Sequence, residues 1–214
     1  MKIRFYNARI MTMTDGCALF SGELWVENDR ILYIGDGSDL DDFYKRTGKD
    51  CIVWDREIDC EGNVLMPGFK DAHTHSAMVA MRSFADDMPL QEWLNTKIFP
   101  LEAKMTDQDN YDLTQLAILE YLTSGVTSIF DMYLSPKDIA QACVDMGMRC
   151  VLVSGLNQFG PALEVMEERY LNLNKMHPLI TYMMGVHAEY TCPKELLEQV
   201  SGLIHKYQAP LFAH

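Results

Sequence analysis

The chain has 214 residues, 48% of them hydrophobic, enough to bury a sizeable core as one domain or as a domain with a small appendage. Its 31 acidic and 18 basic residues leave a formal net charge of -13 with no basic run, so nucleic acid and anionic membrane surfaces are poor partners. No window approaches the ~18 consecutive apolar residues of a membrane span, and Met1-Lys2-Ile3-Arg4-Phe5-Tyr6 lacks the apolar run of a signal peptide. Six scattered cysteines (Cys17, Cys51, Cys60, Cys143, Cys150 and Cys192) contain no Cys-x-x-Cys pair. They read as reduced thiols of a cytoplasmic protein and indicate neither a disulfide frame nor a thiolate zinc site.

Residues 1–66 read as short strands with turns: Ile3–Phe5, Leu24–Glu27, Ile31–Ile34, Ile52–Trp54 and Val64–Met66. Asn28-Asp29 predicts a hairpin turn, because both residues tolerate positive φ. The acidic stretch from Ser38 to Lys49 has room for one short helix. From Pro67 the pattern becomes strand, helix, strand, helix. Expected strands are Gly68–His73, Val126–Asp131, Cys150–Gly155, Ile180–His187 and Pro210–His214. Thr106-x-x-Asp109 predicts a capping box, with Leu113, Leu116, Leu119 and Leu122 following at helical spacing and Gly125 as a stop. Another helix runs from Pro136 to Met146 before Gly147, and Pro193 opens a third. This alternation implies an α/β fold with a parallel sheet. By itself it does not separate a (β/α)8 barrel from a doubly wound sheet, although no G-x-G-x-x-G opens a helix.

Of the six histidines, three close predicted strands: His73, His187 and His214. In parallel α/β proteins the carboxyl ends of the strands converge on the functional face. His73 and His75 are two apart, so an extended segment points both to one side, where neutral imidazoles can share a divalent ion at about 2.0–2.1 Å. A hydrogen-bonded pair at a strand end is the competing reading. His177 and His205 fall in polar helix-flanking segments and read as surface residues.

The run Met66-Pro67-Gly68-Phe69-Lys70-Asp71-Ala72-His73-Thr74-His75 resembles the first barrel strand of the amidohydrolase superfamily. The likeness continues through Arg82–Leu90, Glu92-Trp93-Leu94 and Ile98–Glu102. It returns at Gly125-Val126-Thr127, Phe130–Tyr133 and Gly185–Tyr190. These segments are similar to the deaminases of 5′-methylthioadenosine and S-adenosylhomocysteine and to the chlorohydrolase-like group.

The resemblance implies that residues 1–66 are part of a composite β-sandwich and residues 67–214 the first half of a TIM-type (β/α) barrel. It implies His73, His75 and His214 as ligands of one divalent ion, zinc or alternatively ferrous iron. Glu102 and His187 would contact a small heterocyclic substrate; a solvated charge and a strand-end histidine bonded to backbone are the respective alternatives. Asp131 is a candidate acceptor for a histidine N–H or a structural hydrogen-bond partner, and Trp93 reads as core packing or pocket wall. Two departures bear on the substrate and the metal. Ser154 stands where nucleoside-type members often have an arginine near the end of the third strand. The fourth strand carries no lysine to bridge two metals, which favours a single ion.

A (β/α)8 barrel takes about 250 residues, and only five strands fit between residue 67 and His214. The resemblance places a proton-shuttling glutamate and a metal-binding aspartate beyond residue 214. The expectation is an N-terminal fragment, inactive alone, of an enzyme that deaminates an adenine nucleoside. A guanine-, cytosine- or triazine-type hydrolase and a non-catalytic binding relative are the alternatives, and a homo-oligomer is left open.

Overall fold

Residues 1–16, 18–48 and 51–214 are described by the computed structural model; Cys17 and Lys49, the far end of the acidic stretch, lie outside them. The chain divides into two units, Met1–Pro67 and Gly68–His214.

In the first unit, β1 (Lys2–Ile10) is flanked by antiparallel β2 (Phe20–Glu27) and by parallel β4 (Arg56–Asp59) and β5 (Val64–Leu65), while β3 (Arg30–Gly35) pairs with β2. Glu27 faces Arg30 across the Asn28-Asp29 turn, in which Asn28 alone of the two takes a positive φ, +56°. The expected strand at Ile52–Trp54 does not form. These residues instead pack as irregular chain on the aromatic core of Trp25, Tyr33 and Phe43, with Trp54 and Trp25 ring centroids 5.1 Å apart. The edge of β1 is taken by Arg56–Asp59, so alternating apolar residues at 52 and 54 serve packing rather than pairing. Helix α1 (Leu40–Thr47) occupies the acidic stretch and stops at Gly48, φ +65°.

In the second unit, β6 (Phe69–Thr74), β7 (Val126–Asp131), β8 (Arg149–Val153), β9 (Ile180–Val186) and β10 (Leu211–Ala213) form one parallel sheet in sequential order. That order settles what alternation left open, since a doubly wound sheet reverses its order at a switch point. Each strand lies beside its successor, as in a barrel wall. The sheet also curls. Five flat strands would separate β6 from β10 by about 19 Å at roughly 4.8 Å per step, yet side chains from the two outer strands meet, as described below.

Helices connect the strands. A 3₁₀ segment (Ser76–Met81) follows β6, and a broken helical stretch comprises α2 (Leu90–Trp93), a π-turn (Leu94–Ile98) and α3 (Phe99–Glu102). Then come α4 (Asp107–Thr123), α5 (Pro136–Met146), α6 (Leu163–Leu173) and α7 (Lys194–Tyr207). The expected capping box is present: Asp109 N–H donates to Thr106 Oγ1 at 3.1 Å, and Thr106 N–H donates to Asp109 Oδ2 at 2.8 Å. Side chains on one parity of the central strands, such as Ile129, Cys150, Leu152 and Tyr182, join Ile118 of α4 and Ile139 of α5 in the main core. The leucine stripe of α4 behaves differently. Its buried residues are Asn110, Thr114, Ala117 and Ile118, whereas Leu116, Leu119 and Leu122 are each more than 40% exposed.

Among the described residues, no helix is long and apolar enough to cross a membrane.

Candidate metal centre

Strand β6 runs Phe69–Thr74, and His75 closes it as the chain turns into the 3₁₀ segment. The opposite parity of β7 and β10 faces the inside of the curl, where Phe130 and Phe212 rings lie 4.7 Å apart. The carboxyl ends of β6 and β10 therefore meet above this layer. There the ring nitrogens of three histidines converge: His73 Nε2 lies 3.2 Å from His75 Nε2 and 2.7 Å from His214 Nε2, and His75 to His214 is 3.3 Å. His73 and His214 are 141 residues apart in sequence.

The three nitrogens form a triangle that hydrogen bonds alone cannot satisfy, because one N–H per neutral ring leaves lone pairs facing lone pairs. They can share an ion. With metal–nitrogen bonds of 2.0–2.1 Å in tetrahedral geometry, ligand nitrogens sit about 3.3 Å apart, which two of the three separations match, while the His73–His214 pair, at 2.7 Å, is closer. The tautomer of His75 suits this role. Its Nδ1–H donates to the Met132 carbonyl just past β7, leaving the Nε2 lone pair free. Burial, then the neighbouring His73, His75 and His187, hold the His214 pKa below its ordinary value and favour the neutral, ligating form. Among the described residues, these three are the grouping of histidine, cysteine and carboxylate side chains with a spacing fit for a metal ion.

His187 lies just past β9 and outside the triangle. Its ring stacks on that of His214 with centroids 5.0 Å apart, and its Nδ1 is 3.4 Å from Thr191 Oγ1. Its peptide N–H donates to Leu156 O at 2.8 Å, so it carries both the backbone bond and a place against the cluster. Glu102, at the end of α3, does not enter the cluster. It neighbours Tyr133, whose hydroxyl pKa is raised first by burial and then by the Glu102 charge, and the Tyr133 ring lies 6.4 Å from that of His75. His177 and His205 are exposed.

Three sequence readings are resolved by side-chain direction. Asp131 shares the parity of Ile129, pointing at the helices rather than into the curl. It therefore accepts the Ser76 peptide N–H on Oδ2 at 3.1 Å and not a histidine ring N–H. Trp93 lines a cavity of about 410 Å³ beside His73 and His75 and donates its indole N–H to Phe84 O at 2.8 Å, so it is wall rather than core. Ser154 is 2% exposed and continues the helix-facing parity of Cys150 and Leu152; as placed, it cannot stand in for an arginine on the histidine face. Sequence reasoning missed Met132 and Tyr121, the latter reaching the β6 end from α4. A backbone acceptor leaves no trace in residue type, and a tyrosine in an amphipathic helix reads as packing.

Asp131 supplies a measurable pH effect. Burial pushes its pKa up from 3.8 to about 6, and Oδ1 has no hydrogen-bond partner. A folded pKa above the unfolded one means that the buried charge costs stability above pH 6, a cost that fades as pH falls towards 3.8. Asp131→Asn keeps an acceptor for Ser76 and removes the charge. It is expected to raise unfolding free energy by about 1–3 kcal/mol at pH 7.5 and to change it little at pH 3.5, measured by urea titration at both values.

A sequential, curled parallel sheet that gathers three imidazoles at the carboxyl ends of its strands defines a half-barrel of the (β/α) class with a candidate metal site at its mouth. Residues 64–214 match the amidohydrolase family, and the chain belongs to it.

Similar proteins include one from Desulfitobacterium hafniense, named 5-methylthioadenosine/S-adenosylhomocysteine deaminase. It is 41% identical over 184 residues, which is 84% of this chain and 41% of that protein. A protein of the same name from Desulforamulus reducens is 39% identical over 97% of this chain and 48% of its own length. An adenosine deaminase from Xanthomonas campestris, solved with bound zinc, superposes with a TM-score of 0.84 at 25% identity, covering 99% of this chain and 48% of that one. The chain thus spans about half the length of the relatives it matches, and its second unit is a curled, parallel five-strand half-barrel of the TIM-type amidohydrolase fold.

Proposed function

We propose that this chain carries the metal-binding histidines of a hydrolytic deaminase that acts on an amino-substituted purine nucleoside, 5-methylthioadenosine or S-adenosylhomocysteine. The observation that supports this reading best is the Nε2 triangle of His73, His75 and His214 at the barrel mouth, in a chain resembling deaminases of that name. Residues 1–66 are read as part of a composite β-sandwich.

In this reading His73, His75 and His214 hold one zinc ion, which when bound supplies a water acidified towards neutral pH. The Met132 carbonyl keeps the His75 Nε2 lone pair on the ligand side. His187, stacked on His214, offers a ring face and one nitrogen to a heterocycle in the mouth. Glu102, held beside Tyr133, offers carboxylate oxygens to ribose hydroxyls. Among the described residues the cluster itself is histidine only, and in this reading all three rings are engaged as ligands, so the proton for the leaving nitrogen is carried by a group outside the cluster.

The test is ammonia release from 5-methylthioadenosine, S-adenosylhomocysteine and adenosine by the zinc-loaded product of the complete gene, with the 214-residue chain assayed alongside. Ammonia from the first two substrates is expected of the former and none from the latter. A zinc-loaded protein that releases no ammonia from any adenine nucleoside would sink the reading.

A further inference from the structure

We propose that Tyr121, in the last turn of α4, is a positioning residue for the metal-binding histidine pair: its hydroxyl fixes which face of the chain His73 and His75 present. This inference rests on the metal-site reading above. The Tyr121 hydroxyl bonds the Thr74 hydroxyl and lies 3.2 Å from Ser76 Oγ. One phenol oxygen thus ties the residues immediately before and after His75.

The consequence follows from strand geometry. Successive side chains in an extended segment point to opposite sides. With Thr74 and Ser76 drawn to α4, His73 and His75 are directed the other way, into the mouth. Burial raises the Tyr121 pKa, so the hydroxyl stays protonated and can donate one bond while accepting another.

Two further bonds restrain the same turn from β7. Asp131 Oδ2 accepts the Ser76 N–H at 3.1 Å, and the Met132 carbonyl accepts the His75 Nδ1–H. Three residues in succession, Thr74, His75 and Ser76, are therefore held by partners from α4 and the end of β7. The β6–β7 ladder is irregular here, with a register shift between Asp71 and Thr74, so strand pairing alone does not fix this end. Outer partners that bond a ligating ring directly, as the Met132 carbonyl bonds His75, alter metal affinity by about 10–100-fold. Tyr121 acts one bond further out, through Thr74 and Ser76, so its effect is expected at the lower end of that range.

The experiment uses the 214-residue chain and cobalt(II), whose visible absorption reports ligand geometry. Tyr121→Phe removes only the hydroxyl. It is expected to weaken cobalt binding about 10-fold in chelator competition and to shift the visible band. Thr74→Val should do likewise. The double variant should be little worse than either single one, because both remove the same bond.

Tyr111→Phe serves as control. It deletes a hydroxyl from the same helix, one bonded to Asp145 at 2.8 Å, and should leave affinity and spectrum unchanged. A Tyr121→Phe chain that melts lower but keeps the wild-type affinity and band would show a merely structural role and overturn the inference. If that variant does not fold, the Thr74→Val spectrum decides by the same criterion. A wild-type chain that binds no cobalt overturns both the metal-site reading and this inference; a binding wild type with unchanged variants overturns the inference alone.

Discussion

Replacing His75 with alanine is expected to weaken zinc binding by the 214-residue chain at least about 100-fold. Structural zinc sites with four ligands bind with about 10–16 kcal/mol near pH 7, so one ligand accounts for roughly 3 kcal/mol. Here the loss falls on a site whose triangle contains three nitrogens, and removing one leaves a two-point site of ordinary surface affinity. His75 is the sharpest place to cut because its ring is already oriented by the Met132 carbonyl, so no rearrangement is needed to bind. His75→Gln is expected not to restore affinity, since an amide reaches the position but presents a weaker neutral donor. Zinc competition against a chromogenic chelator measures both variants. The outcome that would exclude His75 as a ligand is an unchanged zinc affinity in a folded His75→Ala chain. Wild-type affinity should also fall as pH drops and the imidazoles take protons. His214, held below its ordinary pKa by burial and its neighbours, should resist that loss to a lower pH than an exposed histidine.

The second large effect is on stability. Leu152→Ala, near the C-terminal end of β8, is expected to cost about 2–5 kcal/mol. Leu152 is 1% exposed and lies in the core between the central strands and the helices that cover them. Its neighbours, among them Tyr182 beside it on β9, are fixed by the parallel ladder and cannot collapse into the space. The loss should move the urea midpoint down by roughly 1–2.5 M, taking a slope near 2 kcal/mol/M. Leu119→Ala is the informative contrast. Leu119 is 52% exposed on α4, and its truncation should stay within about 0.5 kcal/mol. Equal destabilisation by the two would mean that the α4 leucine stripe is buried in solution.

That contrast shows where residue type stops being informative. Leu113, Leu116, Leu119 and Leu122 repeat at helical spacing and do mark a helix, but spacing does not say which face a neighbour covers. The buried face instead carries Ala117 and Ile118, covered mainly by the 3₁₀ segment after β6 and by α5, because the side of α4 that is packed is set by where the chain enters and leaves the helix. The expected strand at Ile52–Trp54 failed for a related reason. Alternation at 52 and 54 is equally satisfied by packing on Trp25, and only pairing with β1 could tell the two apart.

What the chain determines by itself is local or carried by its motifs. Thr106 and Asp109 cap α4 through bonds between neighbours, Gly48 and Gly147 end helices because they tolerate positive φ, and His73-Thr74-His75 lies within the span that matches the amidohydrolase family. What the tertiary structure decides is everything that depends on curl and on direction. The sequential strand order and the meeting of β6 with β10 make a barrel wall, and they bring His214 within 2.7 Å of His73 across 141 residues. Side-chain parity at the strand ends then assigns roles: Asp131 turns to the Ser76 peptide, and Tyr121 takes hold of the residues around His75. Long-range closure and the face a side chain presents are properties of the folded sheet, and no single residue type encodes them.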